Sequence, residues 1–338
     1  PQFAYIPSNC GDLEKGAPTW NKVLEHCGRN LEDAVKRSEW CQINGLHRGR
    51  DYLFLWASSI FQFPTKPLPY IFFYGPQNCG KSTFHEALGL LFKDNIGYVR
   101  ADVSLTSPSR FNGELLNAVL CVVEETNLQS ARTEAYNRVK DWVTGRHLNV
   151  HEKGKTPYQI QNTTHWVQCA NEPDACPIFP GDTRIVITSV GDLQESVPKD
   201  RLIKMLEIEA PAFLHCCMTT EIPQSPDRLR LPVIISAEKL EAEFTNEMPV
   251  TQFFREMVYP ISGSVILMAD MYSKFITWLP IEKRRFWTNS RFYKFLPSDC
   301  LKGKYKGPNW FIGNVSLDAN KAPGIKLIKI YDKLVEEP

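Results

Sequence analysis

The chain has 338 residues, 43% of them hydrophobic, and a formal net charge of +1. This length is enough for two or three domains with a hydrophobic core, and the near-neutral charge excludes a general attraction to nucleic acid or anionic membranes. The sequence lacks a long apolar run and a basic-then-apolar N-terminus, so it predicts no membrane segment and a cytoplasmic protein. Because the chain begins at Pro1 rather than at Met, we expect it to be a piece of a longer protein.

The ten cysteines form no CxxC pair, which is poor spacing for a disulfide framework or a zinc site. His26, Cys27, Cys41 and His47 are the nearest approach to a metal cluster, but no two of them stand at ligand spacing. The cysteines therefore predict reduced, mostly buried thiols in a reducing compartment.

Residues 12–62 show helical spacing of apolar positions, and the proline-rich segment 64–69 predicts a stiff linker. An apolar strand is predicted at Tyr70–Tyr74. It is followed by GPQNCGKST, which satisfies the GxxxxGK[ST] pattern of a phosphate-binding loop between a strand and a helix. The predicted nucleotide-binding residues are Gly75, Pro76, Gln77, Asn78, Cys79, Gly80, Lys81, Ser82 and Thr83.

In this loop, backbone N–H groups and the start of the following helix would surround phosphate oxygens. Lys81 would contact the β- and γ-phosphates of ATP, and the Ser82 hydroxyl would hold Mg²⁺. A chance glycine turn is the alternative, which the flanking strand and helix disfavour.

The next apolar run, LCVVEE, ends in Glu124 and Glu125. An acidic group at the end of a strand beside the loop can anchor the magnesium shell and orient the attacking water. We assign Glu124 to the magnesium shell and Glu125 to polarising the water, although the two roles are interchangeable on sequence alone. The alternative is a solvated acidic strand end.

Two further polar residues flank predicted strands. Asn171 follows the strand Trp166–Ala170 and could contact the water or the γ-phosphate, whereas an isolated strand-end asparagine is more typical of a turn. Arg184 precedes an apolar strand through Val190. It either forms an ion pair with Asp182 or projects into the nucleotide site of an adjacent subunit, and we favour the second interpretation.

The segment VHEKGK carries His151, Lys153 and Lys155 at the turn of a predicted hairpin. Such cations can follow the phosphates of DNA, or they can belong to a plain solvated turn. Residues 282–306 contain eight Lys and Arg residues against Glu282 and Asp299, with aromatic residues among them. This composition suits stacking of bases and gripping of phosphates, but equally a small core with solvated lysines.

The order of these motifs resembles the superfamily 3 helicases of viruses, phages and plasmids, in particular the helicase part of phage and poxvirus-type primase–helicases. The matching pieces are GPQNCGKST, LCVVEE, VHEKGK and QCAN. The resemblance covers residues 50–190 well, the N-terminal helices loosely and the last third poorly. His151 departs from the Asp that is more usual in parts of the family, which leaves open whether it contacts DNA or shapes the hairpin.

The resemblance implies an α/β fold, namely a P-loop NTPase of AAA+ type. It divides the chain into an N-terminal helical segment (1–63), a helicase core (64–210) and a smaller, mostly helical C-terminal region (211–338), for which a winged-helix-like module is one candidate. It further implies a homo-oligomeric ring, usually a hexamer, with single-stranded DNA in its channel and ATP and Mg²⁺ as cofactors. Arg184 matches the family's arginine finger, donated to a neighbouring subunit. Lys153 and Lys155 match the channel hairpin.

The predicted function is therefore an ATP-dependent DNA helicase that acts on forked duplex in replication of a phage, virus or mobile element. An upstream primase or polymerase domain in the same protein is also expected. Two other readings remain open at this point: an AAA+ ATPase that moves or loads duplex DNA, and an ATP-binding initiator scaffold that does not unwind. A small-molecule kinase is disfavoured, because no lid-like arginine cluster stands near the loop.

Overall fold

The computed structural model describes residues 2–9, 11–107, 111–124, 128, 132–176, 178–194, 197–245 and 248–337. The chain divides into two compact units, Pro1–Asn246 and Glu247–Pro338. Within the described residues no helix is both long and apolar enough to cross a bilayer. The cysteines among the described residues are free thiols, most of them buried.

The first unit begins with a group of helices and continues into a sheet. The N-terminal helices are α1 (Leu13–Gly16), α2 (Pro18–Gly28), α3 (Glu32–Arg37), α4 (Glu39–Ile43) and α5 (Gly49–Gln62). The strands are β1 (Tyr70–Tyr74), β2 (Tyr98–Arg100), β3 (Leu120–Glu124), β4 (His147–Val150), β5 (Tyr158–Gln161), β6 (His165–Ala170) and β7 (Ile185–Ser189). The other helices of this unit are α6 (Thr83–Gly89), α7 (Asp102–Thr106), α8 (Arg132–Thr144), α9 (Lys199–Thr219) and α10 (Ala237–Thr245).

Five of these strands form a parallel sheet in the order β2, β3, β6, β1, β7. Its strands are apolar on both faces, as expected where helices cover a parallel sheet on both sides. Alternate residues of β1 show this directly: Ile71 and Phe73 belong to one buried cluster, while Tyr70 and Phe72 belong to the other. The carboxyl ends of all five strands therefore lie at one edge of the sheet. β4 and β5 form a separate antiparallel hairpin.

The N-terminal helices pack on this sheet unit and on α9. The Trp20 ring stacks on Phe213 with centroids 3.9 Å apart, and its indole nitrogen donates to the carbonyl of Leu206 at 2.9 Å. The proline-rich segment after α9 also returns to the core, since the Tyr52 hydroxyl donates to the carbonyl of Pro232 and the Ser236 hydroxyl to that of Ile187. Residues 1–63, 64–210 and the start of 211–338 thus share one unit, and the boundary expected at 210 falls inside α9.

The second unit combines helices with an antiparallel sheet and differs from the mostly helical region expected. Its helices are α11 (Pro249–Met257), α12 (Met268–Trp278), α13 (Ile281–Arg284) and α14 (Asn289–Lys294). Its strands are β8 (Tyr259–Leu267), β9 (Leu301–Lys304), β10 (Trp310–Ser316), β11 (Leu327–Ile330) and β12 (Lys333–Glu336), in the spatial order β11, β12, β9, β10, β8.

α12 begins only at Met268, because the residues before it form β8. This strand contains β-branched residues and pairs with β10, so the backbone groups on that side are satisfied in the sheet. The aromatic residues Trp287 and Phe292 lie in the core of this unit rather than at its surface. For these two side chains the core interpretation of the basic, aromatic segment is correct.

Candidate active site

The loop between β1 and α6 has the shape of a phosphate cradle. A Cβ at Gly75 would lie 2.2 Å from the carbonyl oxygen of Val190, so only glycine allows this close approach. Asn78 and Gly80 adopt positive φ values of 62° and 84°, which turn the backbone in the way a short loop of this kind needs. The local sequence therefore determines the path of the loop before any ligand is considered.

The N-terminal helices support the loop from outside. His26 on α2 donates from Nε2 to the carbonyl oxygen of Cys79 at 2.6 Å, and a Cβ at Gly80 would lie 3.4 Å from the same nitrogen. The Cys27 thiol donates to the carbonyl of Gly80 at 3.9 Å. Burial raises the pKa of this thiol to about 12, so it remains protonated. His26 and Cys27 thus contact the loop through its backbone carbonyl groups.

Lys81 is buried and lies over the loop. Its ammonium donates to the carbonyl oxygens of Gly75 at 3.2 Å and Pro76 at 3.0 Å, and to Oδ1 of Asn171 at 2.9 Å. Asn171 follows β6, which neighbours β1, so adjacent strands bring these two predicted residues together at the same edge. Their contact places an amide beside the cation that we assigned to the phosphates.

Glu124 ends β3 at this edge and is also held in place. Its backbone N–H donates to Oδ1 of Asp102 at 2.8 Å. A hydrogen bond from His85, assisted by one from Ser82 and by the charge of Arg100, lowers the pKa of the Glu124 carboxyl to about 2. The two predicted magnesium residues, Ser82 and Glu124, therefore stand side by side with the carboxyl ionised. Glu125 lies outside the described residues.

These oxygens suit Mg²⁺, which prefers a few hard oxygen ligands and keeps most of its waters when phosphates are present. A hydroxyl and an ionised carboxylate beside a phosphate cradle are such a set. Elsewhere, among the residues that the structure describes, no cluster of three or more His, Cys, Asp or Glu side chains could hold a metal ion.

His85 and Tyr98 complete the surroundings of Glu124, and neither was predicted from the sequence. His85 on α6 is buried; its Nε2 lies 3.1 Å from Oε1 of Glu124 and its Nδ1 lies 2.8 Å from the Tyr98 hydroxyl. Burial, together with the charges of Glu124 and Glu86, raises the pKa of Tyr98. The phenol therefore stays protonated and can donate to Nδ1, which leaves the Nε2–H group to donate to the carboxylate.

Arg184 lies at the opposite edge of the sheet from the loop. It immediately precedes β7, and its carbonyl accepts from the N–H of Tyr70, the first residue of β1. Five residues of β1 separate that end from the loop, a distance of roughly 16 Å. The structure therefore does not bring Arg184 to the site formed by Lys81.

The contacts of Arg184 agree in part with each of the two interpretations. Its Nη1 lies 3.9 Å from Oδ2 of Asp182, which is the local ion pair considered from sequence, and 15% of the side chain is exposed. Asp182 also accepts from the Tyr136 hydroxyl at 2.9 Å. The Nε of Arg184 is buried without a hydrogen-bond partner among the described residues. The guanidinium is thus held loosely by Asp182.

The predicted hairpin forms, with Gly154 at positive φ in its turn. The Lys155 ammonium lies 2.7 Å from Oε2 of Glu152, which pairs it locally, whereas Lys153 is exposed and has no ion-pair partner among the described residues. The His151 ring is half-buried with its centroid 4.7 Å from that of Phe111, whose side chain is 39% exposed. Phe111 is a further residue that the sequence did not single out.

Asn112 fixes the base of this hairpin to the segment before β3. Its side chain accepts from the N–H of His151 at 2.8 Å and donates to the carbonyl of Asn149 at 2.9 Å, and its own N–H donates to the carbonyl of His151 at 3.1 Å. Phe111, the neighbour of Asn112, is thereby held against the hairpin. The segment that leads to Glu124 and the hairpin are consequently joined by direct hydrogen bonds.

Comparison with known proteins supports the fold. A family model described as a family of unknown function (DUF5906) matches residues 73–184. No curated protein sequence matches the chain. The apo structure of the NrS-1 C-terminal region is similar, with a TM-score of 0.59 and 16% identity over 93% of this chain and 78% of that chain. An A-form apo structure of the same region gives a TM-score of 0.61 and 14% identity over 92% of this chain and 78% of that chain.

The chain has the fold of the NrS-1 C-terminal region. The expected α/β P-loop architecture and the resemblance from which it came are confirmed at the level of the fold. A structure of the JCV helicase with a bound small molecule also aligns, with 15% identity over 61% of this chain and 62% of that chain. Its TM-score of 0.26 is too low to add to the argument.

Proposed function

We propose that this chain is an ATP-driven motor that moves along single-stranded DNA and separates the strands of a forked duplex during replication of a phage, virus or mobile element. The observation that supports this most strongly is the convergence at one sheet edge of Lys81 with Asn171 and of Ser82 with Glu124. A phosphate cradle alone indicates nucleotide binding. The ionised carboxylate and the amide beside it supply what hydrolysis needs in addition.

In this proposal the loop residues 75–83 hold the phosphates of ATP, with Lys81 on the β- and γ-phosphates. Ser82 and Glu124 hold Mg²⁺, which neutralises charge on the phosphates when it is bound. Asn171 contacts the γ-phosphate or the attacking water, and Glu125 is our candidate for polarising that water. His85 is a positioning residue, because its hydrogen bond to Oε1 orients the Glu124 carboxylate that would hold Mg²⁺.

Arg184 would act on the nucleotide of a neighbouring subunit. Its distance from its own loop disfavours a role there, and its long ion pair with Asp182 leaves the Nη groups hydrogen-bonding capacity for a phosphoryl group. An arginine that acts between subunits requires an assembly in which each copy meets the next head to tail, and closure of such contacts gives a ring. We propose a homo-oligomeric ring, with a hexamer as the expected size.

The hairpin would contact the DNA strand in the channel. Lys153 offers an exposed ammonium, Lys155 is exposed at the same turn, and Phe111 with His151 offers an aromatic surface next to them. Such a combination suits a phosphate backbone with unpaired bases. Asn112 joins the hairpin by hydrogen bonds to the segment before β3, and Glu124 ends β3. A structural change at Glu124 can therefore be transmitted along this segment to the hairpin.

A strand-displacement assay tests this proposal. Wild-type protein with ATP and Mg²⁺ should release the labelled strand of a forked duplex and leave a blunt duplex intact, and a Lys81→Ala protein should release neither. Movement on blunt duplex without strand release would instead indicate a duplex-moving or loading ATPase. ATP-dependent assembly with negligible turnover would indicate a scaffold.

A further inference from the structure

The second unit carries a strong excess of positive charge that the proposed motor does not use. Residues 247–338 contain fourteen Lys and Arg residues against nine Asp and Glu, whereas the rest of the chain has twenty-five against twenty-nine. The near-zero charge of the whole chain therefore conceals an acidic unit and a basic unit. Such an asymmetry points to a polyanionic partner for the basic part.

The strand register of this unit places four side chains in a row. Ile330 on β11 is opposite Lys333 on β12, Lys333 is beside Lys304 on β9, and Lys304 is opposite Trp310 on β10. Residues paired in this way point to the same face of a sheet. We call the row Ile330, Lys333, Lys304 and Trp310 the cross-strand row.

The row lies on a part of the sheet that the unit leaves open. Trp310 is 40% exposed, Ile330 is 49% exposed and Lys333 is exposed. Two residues further along β10, on the same face, Ile312 is completely buried in the core with the helices of this unit. The helices thus cover one end of this face and stop short of the cross-strand row.

The two lysines at the centre of the row are unfavourable for the isolated fold. Like charges directly opposite each other on neighbouring strands are destabilising. No carboxylate of the described residues lies within ion-pair distance of Lys304 or Lys333, and β9 and β12 are inner strands of the sheet. Lysines that protect a sheet edge from pairing with another sheet are common, but that explanation applies to edge strands and not here.

The cation in the neighbouring turn does not belong to this row. Lys306, in the turn between β9 and β10, places its ammonium 5.1 Å from the centre of the Tyr305 ring. The Tyr305 ring contacts that of Phe311, which follows Trp310 on β10 and therefore points to the opposite face of the sheet. In the row itself, Lys304 stands beside the exposed indole of Trp310, and Lys302 lies on the same face opposite Ile312. Phosphates and bases of one strand match these two kinds of group.

We infer that the cross-strand row is a binding surface for single-stranded nucleic acid, in which Lys304 and Lys333 contact phosphates and Trp310 stacks on a base. This surface adds to the proposed function a contact that requires neither ATP nor the hairpin. A flat row across four strands lacks the projecting helix that reads a duplex groove, which favours a single strand.

The test measures binding of a labelled oligothymidylate to the full chain, without nucleotide, in a Lys153→Ala/Lys155→Ala background that removes the hairpin cations. Lys304→Gln/Lys333→Gln should weaken binding roughly tenfold at about 0.1 M salt and reduce the log–log salt slope by about 1.4, as expected for two phosphate contacts. Trp310→Ala should weaken binding at least about fivefold, and Trp310→Phe should restore most of it.

The matched control is Lys274→Gln/Lys321→Gln, which removes the same charge from exposed positions of the same unit outside the row. It should bind within about twofold of the parent, because charge at a distance is largely screened at this salt. Equal losses in the two double variants, a parent that does not bind, or tighter binding of duplex than of single strand would overturn the inference. So would a folded Trp310→Ala protein that binds like the parent.

A final experiment uses inorganic polyphosphate as a competitor of the labelled oligothymidylate. It should displace the oligonucleotide less well than unlabelled oligothymidylate, since it offers no base to Trp310; equal displacement would contradict the inference. Melting curves establish that each variant is folded. Because no ATP is present, the result is independent of whether the chain proves to be a motor.

Discussion

The imidazole Nε2 of His85 lies 3.1 Å from Oε1 of Glu124. This contact joins the helix after the phosphate-binding loop to the end of β3, and the Tyr98 hydroxyl continues it on the far side of the ring. The direction of the hydrogen bonds is fixed, because an ionised carboxylate can only accept. The Glu124 side chain is therefore oriented by a residue of the very helix that begins at the cradle.

Replacing His85 should show whether this contact positions Glu124. We expect His85→Ala to lower ATP turnover about tenfold or more, in line with the loss of groups that orient a metal ligand, and His85→Gln to retain much more. ATP binding, measured with Mg²⁺ and with a chelator, distinguishes a positioning role of His85 from a structural role. His85→Ala should weaken only the magnesium-dependent part. Equal weakening in both conditions would indicate a merely structural histidine, and Tyr98→Phe should follow His85→Ala in direction with a smaller effect.

Arg184 can be tested by mixing inactive proteins. Arg184→Ala should lower turnover by at least about a hundredfold if it stabilises the transferred phosphoryl group, as should Lys81→Ala. A mixture of the two variants should recover activity at interfaces that combine an intact loop with an intact arginine, roughly one quarter of them at equal amounts.

Mixing either variant with Lys81→Ala/Arg184→Ala is the matched control and should recover nothing. A mixture that stays as inactive as its components would contradict a role between subunits and leave the ion pair with Asp182 as the function of Arg184. Melting temperatures of the single variants check that loss of that ion pair has not unfolded the protein.

Replacing the hairpin lysines should reduce DNA-stimulated ATPase activity but not basal ATPase activity. Lys153→Ala/Lys155→Ala should abolish most of the stimulation of ATPase by single-stranded DNA while leaving basal ATPase within about twofold, since neither lysine lies at the nucleotide edge. Lys66→Ala/Lys204→Ala removes two exposed lysines of the same unit and should change neither rate. Equal losses of basal and stimulated activity would argue against DNA contact by the hairpin.

His165 gives a prediction about stability and pH. Complete burial lowers its pKa to about 4, while the carbonyl of Pro64 provides one hydrogen bond that opposes this shift. The unfolded chain takes up this proton near its ordinary value of about 6.5, so the stability contributed by the neutral ring is present above that pH and is lost as pH falls towards 4.

His165→Gln should therefore flatten the pH dependence of the unfolding free energy. The unfolding free energy of wild type minus that of the variant should fall by up to about 3 kcal/mol as the pH is lowered from 6.5 to 4. Urea unfolding of both proteins at several pH values in this interval provides the measurement. Parallel pH curves for the two proteins would show that His165 is not held neutral by the fold.

Much of the candidate nucleotide site could be predicted, because these residues follow apolar strands in the sequence. Lys81, Glu124 and Asn171 all follow apolar runs, and parallel strands bring their carboxyl ends to one edge whatever the loops do. His85 does not stand at the end of a predicted strand. It lies on a helix, and its partner Tyr98 belongs to a three-residue strand too short to be recognised from alternation.

The domain boundaries could not be predicted because they depend on non-local contacts. Pro211 suggests a break, yet it lies within α9, and the carbonyl of Pro211 accepts from the N–H of Ser8 at the other end of the unit. The stacking of Trp20 on Phe213 is likewise a contact across nearly the whole unit. β8 was missed because a short apolar segment before a helix has the same composition as the helix itself.

The central claim is that ATP is hydrolysed in the cradle formed by residues 75–83 and that hydrolysis moves DNA. Its most direct test is the steady-state rate of ATP hydrolysis by wild type and by Lys81→Ala, each with and without single-stranded DNA. We predict a wild-type rate that rises with DNA and a variant rate lower by about a hundredfold or more in both conditions. A folded Lys81→Ala protein that hydrolyses ATP at the wild-type rate would contradict the claim.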